Sequence, residues 1–351
     1  MSYEIGRDAL NLRWTERVAR AEYVDNWEVV RHFTGKDPRQ DGGAWAEFYD
    51  AIHVDFIWHT DDGPGGWGHA GRTTNMGHAV YMEDGSDFKA MVPSPFRNSG
   101  EVLAFSAVAE YGRPDMKGLV AYYEQCYQSL RAAHPNQVVT GGFYNTVVSG
   151  AIQAFGWEML LEAAGDDPDR FGEDVLGSIF ELTMHYATAW AQTSIDFYMC
   201  HDDMVWTQGP FMNPTFYRKY VFPRYQELWA MLHAAGKKVL FTSDGKFDMF
   251  IDELVEAGAD GLCFEPDNDL ELLVRKCGQT HALIGGADCR TLTFGTKADI
   301  EKEMRWVLDV TKNCPGFMFA TGNHFPANIP LENALHYFEL IDTLGRRDRA
   351  G

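Results

Sequence analysis

The chain of 351 residues lacks any apolar run of the length, about 18 residues, that a membrane-spanning helix needs. Its six cysteines form no CxxC pair, which excludes local paired-thiolate metal sites and leaves reduced thiols as the expectation. The opening stretch MSYEIGRDALNLRW has no apolar core of the kind a secretion signal carries, so a cytoplasmic location is expected. No HxH, HExxH, GxSxG or P-loop occurs, and no GxGxxG opens a helix. Basic residues are the minority: 30 Lys and Arg stand against 51 Asp and Glu, a formal charge of −21. Such a surface repels nucleic acid and anionic membranes, and neither is expected as a partner. It still permits an anionic substrate held by a few local Arg or Lys, and it is compatible with salt adaptation.

Apolar material is plentiful: 45% of residues are hydrophobic and 14% aromatic, enough for one large core. No linker, repeat or low-complexity tract divides the chain, so residues 1–351 read as one domain. Residues 1–35 read as amphipathic helix, a second short helix follows to about residue 50, and 345–351 read as a frayed tail. Seven strand candidates lie near 54–59, 138–144, 195–200, 238–243, 260–264, 281–286 and 316–321, with room for an eighth within 88–110. Helical segments separate them. Right-handed crossovers then favour an α/β fold, a TIM-type (β/α)8 barrel with an N-terminal helical extension and a long lid loop after the first strand.

In such a barrel the C-terminal strand ends form the active face. Here they read KVLFTSDG (Lys238–Gly245), GLCFEP (Gly261–Pro266), HALIGGAD (His281–Asp288) and GFMFATGNHFP (Gly316–Pro326). Asp244, Glu265, Asp288 and His324 would then meet at one basin, with Asp288 read as a loop holder before Arg290. The run CHDDMVW ends a fifth strand in His201, Asp202 and Asp203. Alternation sends the two aspartates to different sides, one to the basin and one to cap a turn. Asp244 and Asp202, with His201, are the expected catalytic groups, and Glu265 and His324 the expected metal ligands. The Gly-rich loop Asp61–Gly85 carries His69, His78, Arg72, Trp67 and Tyr81, just after Trp58 and His59. It reads as a substrate lid, and His59, Trp67, Arg72, Tyr144 and Asn145 are the expected substrate contacts.

These pieces, with MCHDDMVWTQGPFMNPTFYRKYVFP and LIGGADCRTLTFGTKADIEKEM, resemble in order and spacing the uroporphyrinogen decarboxylase superfamily, which includes cobamide-dependent methyltransferases. The likeness runs across roughly residues 190–340. It implies a barrel with its cleft at the C-terminal strand ends. The decarboxylases of that superfamily use an Arg-rich N-terminal pattern, which HAGRTTN (His69–Asn75) matches only superficially. The methyltransferase branch often carries zinc on an HxC pair and a later Cys. The corresponding positions here read Thr242-Ser243-Asp244 and His324, so a thiolate site of that form is absent. The resemblance therefore implies a demethylase of small O- or N-methyl compounds, with zinc as the candidate metal. A cobamide on a separate corrinoid protein would accept the methyl group. Alternatives are decarboxylation of a small carboxylic acid, which would call on Arg72, Arg97 or Arg290, and a ligand-binding barrel without catalysis. The aromatic content also permits a homodimer.

Overall fold

In the computed structural model, which describes residues 2–77, 92–322 and 324–347, eight short segments form one all-parallel ring. They are β1 (Ala19–Arg20), β2 (Phe56–Ile57), β3 (Val138–Val139 and Gly141–Phe143, flanking Thr140), β4 (Phe197–His201), β5 (Lys238–Thr242), β6 (Gly261–Cys263), β7 (Ala282–Ala287) and β8 (Phe317–Thr321). Strands β3 to β8 pair in chain order. Strand β1 pairs with β8, and β2 with β3. The remaining seam, β1 to β2, closes through the parallel bridge Ala21–Phe56 and a bond from Asp55 N to Arg20 O of 2.8 Å.

One face of every strand fills the barrel. Ala19, Ala21, Phe56, Phe197, Met199, Leu240, Ile284 and Met318 pack there, alternating with residues that meet the outer helices. The helix Ser2–Leu10 packs on the same cluster through Ala9 and Leu10 and closes the bottom. It approaches closely because Gly6 lacks a side chain: a Cβ there would fall 2.3 Å from the Asp55 carbonyl oxygen. At the seam, Arg17 holds Asp55 by two hydrogen bonds of 2.7 and 2.6 Å. Gly141 serves β3 similarly, since a Cβ would fall 2.3 Å from the Trp190 ring.

The first strand thus lies inside residues 1–35, which are not continuous helix: Ser2–Leu10, β1 and then Trp27–Thr34. The eighth strand is β1. Within 92–110 the described residues form the short helices Ser99–Leu103 and Ala107–Tyr111 instead. A two-residue strand gives no readable period, and its partner β8 lies some 300 positions away. The long loop follows β2. His78 and Tyr81 lie outside the described residues. No helix among the described residues is long and apolar enough to cross a membrane.

Candidate active site

The alternation that turns Phe197 and Met199 inward also turns His201 inward at the C-terminal end of β4. Its Nε2 lies 3.0 Å from Asp203 Oδ1. Tyr144, just past β3, donates its hydroxyl to Asp203 Oδ2 at 2.9 Å. The Asp244 backbone N–H, just past β5, donates to Asp203 Oδ1 at 3.0 Å. Ser149 Oγ fixes the Asp203 backbone by accepting its N–H at 2.7 Å. One ligand atom each from His201, Asp203 and Asp244 lie within 4.8 Å of one another. Glu265, past β6, accepts the Gly245 N–H and so sits beside the same turn.

Burial works against a charged His201, but Asp203 beside it, together with Asp244 and Asp202, outweighs burial and raises its pKa. Burial likewise pushes Asp203 upward, and His201 with three hydrogen bonds more than reverses this. The two groups shift in opposite directions, each favouring its charged form, and a phenol holds them in place. Burial and then Asp203 push the Tyr144 phenol up, keeping it a neutral donor. Asp62 accepts from Tyr144 N, Asn145 N and Asn145 Nδ2 at 2.9, 3.1 and 2.6 Å. Burial nevertheless raises Asp62 to about 6.

Asp202 does not reach this cluster. It is fully buried and accepts from Val148 N, Ser149 N and the Tyr225 hydroxyl at 3.1, 2.5 and 2.6 Å. It caps the helix Val147–Asp166, and its neighbour Asp203 takes the place expected for it. Trp67 is not presented to the mouth: it is 1% exposed and stacks on Tyr111 with ring centres 4.9 Å apart. Arg72 is drawn outward, bonded to Glu110 and lying over Phe96. Asn145 is buried against Asp62 rather than presented to the mouth. His59 lies two residues past β2 with its backbone held by Thr140, and burial lowers its pKa. His324 lies past β8, where its carbonyl accepts the Cys289 thiol at 3.0 Å. Asp288 caps the helix Cys289–Phe294 and pairs with Arg290. The spacing Gly63-x-Gly65-x-x-Gly68 leads only into one 3₁₀ turn, Trp67–His69. The loop returns to the barrel where Gly156 kinks the helix Val147–Asp166, and Gln153 O accepts from Thr74 N at 2.9 Å.

The cluster His201, Asp203 and Asp244 offers one nitrogen and two oxygen donors, a set that suits zinc or another divalent metal without thiolate. Burial pushes the nearby Cys263 thiol up to about 12. Three groups went unselected in the sequence: Asp203 as the basin aspartate, Tyr23, and the buried Glu22. Counting inward positions from Ala19 and Phe197 finds the first two, because the barrel keeps strict alternation past the strand ends.

A sequence profile of the uroporphyrinogen decarboxylase (URO-D) family matches residues 72–344. The chain is 30% identical over 141 residues to the uroporphyrinogen decarboxylase of Geobacter sulfurreducens, 40% of this chain and 41% of that one. It is 25% identical over 263 residues to that of Trichlorobacter lovleyi, covering 73% and 75%. Among solved structures, a methyltransferase from Methanosarcina mazei superposes with a TM-score of 0.66 at 15% identity, covering 98% of both chains.

Proposed function

Because the chain belongs to the uroporphyrinogen decarboxylase (URO-D) family, we propose that it is a barrel methyltransferase acting as a demethylase. It would move a methyl group from a small O- or N-methyl compound to a cobamide on a separate corrinoid protein. The observation that carries this reading is the charge at the rim. Carboxylates and an imidazole gather at the mouth, while Arg72, Arg97 and Arg290 are each engaged by carboxylates. A substrate with several carboxylates would need those guanidinium groups turned inward.

The methyl carbon leaves while the heteroatom keeps the bonding electron pair. An ether oxygen departs as a strong base unless a proton or a cation meets it. In the metal-free cluster the His201 imidazole and the Tyr144 hydroxyl are the groups able to give a proton. Asp203 orients both. A divalent metal held by His201, Asp203 and Asp244 would supply Lewis acidity to the same heteroatom. Among the described residues these three bring their donor atoms together, which favours them over Glu265 and His324 as ligands.

The test mixes the chain with cob(I)alamin and a panel of methoxy and methylamino compounds, with and without added zinc. Methylcobalamin is the expected product, and its absence across the panel counts against methyl transfer. The names of the sequence relatives favour a second reading, decarboxylation of a small acid. Carbon dioxide released without cobamide would select it. Ligand binding with neither product would leave a non-catalytic barrel.

A further inference from the structure

The rim is divided by chemistry. Aromatic rings follow one another past the ends of β1 to β4: Tyr23 to Trp58 at 5.7 Å between centres, Trp58 to His201 at 5.7 Å, and His201 to Tyr144 at 4.3 Å. Carboxylates follow past β4 to β6: Asp203, Asp244 and Glu265. Tyr23 is 44% exposed, Trp58 is half-buried over the barrel interior, and Asp244 is exposed. All sit at inward positions of the strand alternation.

Each arc alone is unselective. Carboxylates attract any cation, a hydrated metal included, and ring faces attract any apolar group. Together they favour a ligand that is positive and also jacketed in methyl groups, since the charge meets the acids while the methyls meet the rings. We propose that the methyl donor is a tertiary or quaternary methylated ammonium compound, seated between the Tyr23–Trp58 rings and the exposed Asp244 carboxylate. This rests on the methyl-transfer reading and narrows it from O- or N-methyl compounds to cationic N-methyl ones. The bond that breaks is carbon–nitrogen. Nitrogen keeps the electron pair and departs as a neutral amine, so a quaternary donor needs neither a proton nor a metal at its nitrogen and would take its place beside Asp244 instead of a metal ion. The methyl carbon bonds to the electron pair of the reduced cobamide acceptor.

Calorimetric titration of the full chain without any cobamide tests the ligand class. Choline is compared with 3,3-dimethylbutan-1-ol, its neutral carbon isostere. Choline is expected to bind saturably and about tenfold or more tightly than the isostere. Trp58→Leu and Asp244→Asn should each weaken choline by about tenfold, and Trp58→Phe should retain most of the affinity. Equal affinity for the two ligands overturns the proposal, and this comparison needs no variant to fold. So does choline binding untouched by both Trp58→Leu and Asp244→Asn. Methylcobalamin formed from a methoxy compound, with no choline binding, overturns the ammonium site and leaves methyl transfer standing. Choline binding with no methyl transfer to cob(I)alamin supports the ammonium site and overturns the activity.

Discussion

Asp202 accepts hydrogen bonds from two backbone N–H groups and a buried phenol, whereas Asp203, one position on, bonds His201, Tyr144 and the Asp244 backbone. The first is a structural cap and the second a positioning group. Asp202→Ala leaves three buried donors without acceptors and should cost about 3 kcal/mol or more. Asp203→Asn keeps the shape but removes the carboxylate charge that raises the His201 pKa. Its Tm should change little while the methyl-transfer rate falls by about a hundredfold. Thermal unfolding and the rate of methylcobalamin formation, measured on both variants, check the contrast. Equal loss of stability in the two would contradict the assignment. Alternation announces that these aspartates part company, and the packing of Phe197 and Met199 into the barrel sets the phase that turns Asp203 inward.

The seam between β1 and β8 depends on one buried carboxyl. Glu22 accepts from Thr321 N at 3.2 Å, Thr321 Oγ1 at 2.8 Å and the Tyr337 hydroxyl at 2.5 Å. Burial raises it from 4.5 to about 7 despite these bonds and the nearby Arg20. A carboxyl raised on folding binds its proton more tightly in the folded chain. Its contribution to stability is full below about 4.5 and is lost as pH rises through about 7. The swing is on the order of 3 kcal/mol. Asp62 and Asp202, each raised to about 6, act in the same direction. The Glu22→Gln variant should therefore show a smaller fall in Tm between about pH 5 and 8 than the parent chain. An undiminished fall in a pH series of melting curves would place the titration elsewhere. None of this shows in the sequence, because Ala-Arg-Ala-Glu at 19–22 carries no strand period and its partners sit some 300 positions on.

Closure of the ring makes the chain one unit, and its acidity acts on that unit. At a formal charge of −21, like charges across the surface repel, and most ion pairs that offset them are exposed and weak. Raising sodium chloride from about 0.01 to 0.5 M shortens the screening length from roughly 30 Å to below 10 Å. The Tm should rise by several degrees, read in a salt series at fixed pH. A fall would mean that the attractive pairs, among them the seam pair Arg17–Asp55, outweigh the repulsion.

Strands β2 to β8, the helices between them and the polar character of the C-terminal rim were legible from residue order alone. Apolar runs ending in Asp, Glu, His and Gly obey local sterics and periodicity, and these survive in one dimension. The identity of β1, the burial of Asp202 and Trp67, the outward pull on Arg72 and the meeting of His201 with Asp203 and Asp244 were not legible. Each depends on which distant side chain lies within about 3 Å, a distance fixed only when the ring closes and every buried donor must find an acceptor.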